Sequence, residues 1–118
     1  VASTAAYRSG KPWLADVIEY LDGARRQLAS LVDEHLPGAV YRVPEATYIG
    51  WIDTSALGIP GPPAAFFREQ AGVVLTEGRL LGRGAEDHAR VVFATPRPVL
   101  DEAFAAMGAA VRRAGLAA

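Results

Sequence analysis

Eight apolar residues, Leu14, Val17, Ile18, Leu21, Ala24, Leu28, Leu31 and Val32, recur at helical spacing after Gly10-Lys11-Pro12 and mark a long amphipathic helix. Leu36-Pro37-Gly38 should end it, because proline disfavours the helical conformation in the residue before it and glycine tolerates positive φ. Residues 1–9, with Tyr7 and Arg8, carry no N-cap signal and read as a tail cut from an upstream helix. A second apolar stripe, Leu100, Phe104, Met107 and Val111, lies near the other end of the chain and needs a sheet or another helix to cover it. Thr95 is the expected N-cap of that last helix and Pro96 its first residue. Asp101 and Glu102 fall in or near its early turns, where the macrodipole favours negative charge, and Arg112, Arg113 and Gly115 close it.

Between the two helices the pattern changes to strands. Ala39 to Val43 and Thr47 to Asp53, separated by Pro44-Glu45-Ala46, are rich in β-branched and aromatic residues and should pair as antiparallel neighbours. A loop with Gly58, Pro60, Gly61, Pro62 and Pro63 leads into a short helix, Ala64 to Gln70, that carries Phe66 and Phe67. Gly72 to Thr76 reads as a third strand, Glu77 to Glu86 as a flexible loop with glycines at 78, 82 and 84, and His88 to Ala94 as a fourth strand. Repeats and low-complexity segments are absent.

Composition bounds the function classes. A chain of 118 residues with 51% hydrophobic content suits one globular unit rather than a disordered segment. A formal net charge of −1 with scattered arginines favours neither nucleic acid nor an anionic membrane surface. With no cysteine there is no disulfide framework or thiolate metal site, no signal-peptide pattern opens the chain, and no apolar run approaches the roughly 20 residues that span a bilayer. A cytoplasmic location is the expectation.

The period of two along a strand divides the fourth strand. Val91 and Phe93 face one way, and Arg90, Val92 and Ala94 face the other. If the helices take the first face, the second presents a guanidinium beside small apolar groups and stays uncovered by this chain. The strand from Thr47 to Asp53 is apolar on both faces, Tyr48/Ile52 and Ile49/Trp51, as expected of a strand buried from both sides. A solvent-facing tryptophan that merely shields the sheet, and a surface arginine in an ordinary ion pair, are the plainer readings of Trp51 and Arg90.

Glu45-Ala46-Thr47-Tyr48-Ile49-Gly50-Trp51-Ile52-Asp53, then Gly82-x-Gly84, then Arg90-Val91-Val92-Phe93-Ala94-Thr95-Pro96-Arg97 stand in order and well spaced, and the resemblance they carry covers nearly the whole chain. In these segments the chain resembles the C-terminal small domain of fold-type-I, pyridoxal 5′-phosphate (PLP)-dependent class I/II aminotransferases, and more closely the subgroup of cystathionine β-lyases, carbon–sulfur lyases that release ammonia, pyruvate and a thiol. The resemblance implies an α+β two-layer sandwich of about four mostly antiparallel strands with helices on one face. It implies that residues 1–118 lack the large domain that holds PLP and its Schiff-base lysine. It also implies a homodimer in the full-length enzyme, an amino-acid substrate, and Arg90 as the group that grips the substrate α-carboxylate. A planar guanidinium suits that role because it can make two parallel hydrogen bonds to a carboxylate and so orient the amino acid.

Two positions depart from the family pattern. Val92 stands where asparagine is usual, which removes a polar partner near the site, and Leu81 stands where phenylalanine is frequent in the active-site loop. His88 reads as a packing or edge residue, and His35 as a favourable charge at a helix C-terminus. Lys11, the single lysine, sits before Pro12 at a helix entrance without a phosphate-cradling loop or a partner for a pyridinium nitrogen. It reads as a solvated surface lysine, so the chain by itself should bind no cofactor and be inactive. The alternative is a stand-alone α+β module that binds a small carboxylate or a protein partner through its open sheet face.

Overall fold

The computed structural model describes residues 1–116. Helix α1 (Ala2–Ser9) is followed after Gly10 by α2 (Lys11–His35). The break falls where Pro12, at the start of α2, cannot donate a backbone hydrogen bond and its ring crowds the preceding turn. The segment read as a severed tail is thus helical, although none of its residues is buried. In α2 the buried positions are Ala24, Leu28, Leu31 and Val32, all in the C-terminal half. Leu14 and Ile18, which belong to the same stripe, are exposed, as is the neighbouring Trp13. The radius of gyration of 16.0 Å reflects this projecting arm, since a compact domain of 100 residues has about 13 Å.

Four short strands, β1 (Val40–Tyr41), β2 (Ile49–Asp53), β3 (Thr76–Glu77) and β4 (His88–Val92), form one sheet in the order β1-β2-β4-β3 with every pair antiparallel. Helices α3 (Pro63–Ala71) and α4 (Arg97–Arg113) complete the fold. Gly50, Ile52, Ala89 and Val91 turn inward, and Phe67, Phe93 and Phe104 fill the space beneath α2, α3 and α4. This is the expected α+β arrangement, helices over one sheet face. Two glycines set how closely the layers approach. A Cβ at Gly50 would lie 2.7 Å from both Leu28 Cδ2 and Val91 Cγ1, and one at Gly108 would lie 2.6 Å from the His35 carbonyl oxygen. His35 ends α2, so the second contact marks the crossing of α2 and α4.

Several local expectations are corrected. The third strand is Thr76–Glu77 rather than Gly72 to Thr76. Gly72 is used to close α3 in the left-handed conformation (φ 69°), and the Val73 N–H donates back to the Phe67 carbonyl, which turns the chain away from β4. The segment from Glu77, expected to be a flexible loop, begins as strand and continues as a 3₁₀ turn over Gly78–Leu80. Strand β2 starts at Ile49, because Thr47 adopts φ 71°, a left-handed conformation that a β-branched residue rarely takes. Strand β1 shrinks to Val40–Tyr41. Strand β2 is covered on one face only within this chain: Gly50 and Ile52 are buried while Trp51 and Tyr48 are exposed. Thr95 is not the N-cap of α4. Pro96 occupies that position with extended backbone (ψ 136°) and Pro98 lies in the first turn.

The cap that Thr95 does not provide comes from α2. The Tyr20 hydroxyl accepts a hydrogen bond from the Arg97 N–H (3.1 Å) and donates to the Thr95 carbonyl (3.0 Å). Gln27 adds a bond from Nε2 to Asp101 Oδ1 at 2.6 Å. The α4 entrance is therefore fastened to a helix about 75 residues earlier in the chain.

Candidate functional site

Strand β4 lies inside the sheet between β2 and β3. Its alternation sends Ala89 and Val91 into the core and His88, Arg90 and Val92 to the opposite face. The register places Trp51 opposite Arg90 on one side and Thr76 opposite it on the other. Arg90 Nη2 donates to Thr76 Oγ1 at 3.2 Å, and Arg90 Nε is buried without a partner. Among the described residues no carboxylate pairs with Arg90. A half-buried guanidinium without a counter-ion is costly. The donor set suits a carboxylate.

Neighbouring positions on the same face are ordered. The Trp51 ring stacks on His88 with centroids 5.2 Å apart and planes 24° from parallel. His88 Nε2 stands 3.9 Å from Asp53 Oδ2. Asp53 Oδ1 accepts the Ser55 N–H at 2.9 Å. The bonds from the Ser55 backbone and hydroxyl hold the Asp53 carboxyl below the usual carboxylate range, with the His88 charge a smaller cause in the same direction and burial opposing both. His88 is thus a packing residue of an interior strand, not an edge one. On the other side of Arg90 the outward pair is Ile49 and Val92. Beyond the short β3, an open groove of about 560 Å³ runs between Val73–Leu75, the end of β4 and the start of α4, with Arg90 and Val99 among its lining residues.

The face containing Arg90, deduced from alternation, is the one the structure leaves open. Its partner Thr76 and the Trp51–His88 stack were not deduced, because both depend on strand register. The signal available in the sequence was the i, i+2 placement of His88 and Arg90 alone. Lys11 is exposed at the start of α2, and the described residues gather no phosphate-binding loop around it, so this chain's own residues do not fit a PLP cradle. No group of three or more His, Cys, Asp or Glu that could hold a metal occurs among the described residues.

No protein-family model matches the chain. A candidate cystathionine β-lyase of Mycobacterium tuberculosis is 39% identical over an alignment of 124 positions that covers 91% of this chain and 30% of that protein. Among solved structures, a candidate PLP-dependent β-cystathionase from Corynebacterium diphtheriae superposes with a TM-score of 0.89 at 37% identity, over 92% of this chain and 29% of that one. The PLP-bound C–S lyase of Staphylococcus hominis gives a TM-score of 0.86 at 34% identity, over 92% and 29% respectively. The chain therefore spans about 30% of the length of the relatives it matches. By sequence and by fold together, about nine-tenths of the chain matches a small α+β part of PLP-dependent cystathionine β-lyases and C–S lyases.

Proposed function

We propose that residues 1–118 form the C-terminal small domain of a PLP-dependent enzyme acting on amino acids, a carbon–sulfur β-lyase or an aminotransferase, in which Arg90 holds the substrate α-carboxylate. The observation that carries this reading is the half-buried Arg90 on the open face of the sheet, hydrogen-bonded to Thr76 and paired with no carboxylate among the described residues. The likeness to the PLP-bound Staphylococcus hominis lyase supports it.

In this reading the cofactor and its lysine come from a large domain outside residues 1–118, and this chain alone is inactive. The large domain covers the outward sheet face and the exposed apolar residues Trp13, Leu14 and Ile18 of α2, and two such subunits associate as a homodimer. Thr76 holds the guanidinium in place, so that binding the α-carboxylate orients the rest of the amino acid. The loop around Leu81, with Leu80 also exposed, borders the site as a second contribution.

The test is made on the complete protein with Arg90→Lys and Arg90→Ala. Both lose the planar fork, and the KM for the amino-acid substrate should rise about a hundredfold for Arg90→Ala, the loss of roughly two charge-assisted hydrogen bonds. An unchanged KM would remove Arg90 from the site. Release of pyruvate and ammonia, measured beside amino-group transfer to an oxo acid, separates the lyase from the aminotransferase.

A further inference from the structure

The outward face of the sheet holds more than its arginine. Trp51 lies directly opposite Arg90, a placement that brings same-face side chains to about 5 Å at Cβ. Although 39% of Trp51 is exposed, one face of its ring is stacked on His88 at 5.2 Å. His88 is backed by Asp53 at 3.9 Å, and Asp53 is held by the Ser55 N–H. One rung along the ladder in the other direction stands the apolar pair Ile49 and Val92. Along the outward face of the ladder, Arg90 thus stands between the stacked Trp51–His88 pair and the apolar pair Ile49 and Val92.

We propose that Trp51, braced by His88, is the specificity-determining wall of this site: an α-amino acid whose carboxylate sits on Arg90 lays its side chain against the indole, over Ile49 and Val92. The inference rests on the carboxylate reading of Arg90 and adds the neighbouring subsite to it. An indole face attracts apolar and polarisable groups, thioether sulfur included. Ile49 and Val92 have no side-chain donor or acceptor to offer a hydroxyl or amide. The subsite therefore favours amino acids with an alkyl or alkylthio side chain over polar ones of equal length.

The test uses the complete, cofactor-loaded protein and the series S-methyl-, S-ethyl- and S-propylcysteine with serine as the short polar member. In the unsubstituted protein KM should fall along the series. Trp51→Ala should raise KM for S-propylcysteine about tenfold, leave serine nearly unchanged and flatten the dependence on chain length, with kcat much less affected. Trp51→Phe should restore most of that dependence, which a purely structural role would not predict. If Trp51→Ala does not fold, Trp51→Val is substituted and compared with Trp51→Phe in the same way. Arg90→Ala should weaken every member by a similar factor. Failure of the carboxylate reading would appear as an Arg90→Ala protein with unaltered KM throughout. The wall is overturned on its own if Arg90→Ala acts as expected while Trp51→Ala shifts all members equally or none.

Discussion

At the scale of single residues, the site depends on which polar groups are left without partners and which are tied down. Arg90 keeps a buried Nε unpaired, whereas Asp53 is held by Ser55. The bonds from Ser55 lower the Asp53 pKa below its ordinary value, helped less by His88. A carboxylate whose folded pKa is depressed contributes stability above its unfolded pKa of about 4 and loses it as pH falls through the lower folded value. Asp53→Asn should therefore unfold at lower urea concentration than the unsubstituted protein at neutral pH, and the two midpoints should converge below about pH 4. A gap that persists unchanged into acid would mean that the carboxylate charge is not what Ser55 stabilises. The residue type and face of Arg90 could be read from alternation in a five-residue strand. The partners of Arg90, Trp51 and Asp53 could not, because each pairing depends on register or on a turn.

At the scale of elements, close approach matters more than helix or strand propensity. Helix α2 can lie against the sheet because Gly50 has no side chain, and Leu28 and Val91 occupy the space a Cβ would need. Gly50→Ala should destabilise by about 1–3 kcal/mol as an overpacked core position, readable as a lowered Tm. Gly82→Ala is the control, since nothing stands within 4 Å of a Cβ there. Equal effects of the two would remove the packing explanation. Helix α2 and the body of α4 were legible because 3.6-residue periodicity over many turns is a strong local signal. The entrance of α4 was misassigned from Thr95-Pro96 because its cap is Tyr20, a group on another helix. Strand β3 was misplaced because a helix-closing Gly72 and a strand-starting glycine look alike in sequence.

At the scale of the molecule, the fold leaves two apolar regions uncovered by its own residues, the outward sheet face around Trp51 and the N-terminal half of α2. Both accord with a domain completed by another part of a larger enzyme. PLP added to residues 1–118 alone should yield no saturable visible absorbance band, because the exposed Lys11 has no cradle around it. A tight band abolished by Lys11→Arg would overturn the division of labour between this chain and the large domain. The amino-acid sequence by itself determined the two long helices and the outward direction of Arg90, since these follow from periodicity within single segments, while the α+β class was implied by the family resemblance of its motifs. Only the tertiary structure decided the strand order β1-β2-β4-β3, the row of Thr76, Arg90 and Trp51, and the clamp of Tyr20 on the α4 entrance. These are contacts between residues distant along the chain, and their geometry is set by how the layers pack rather than by any one segment.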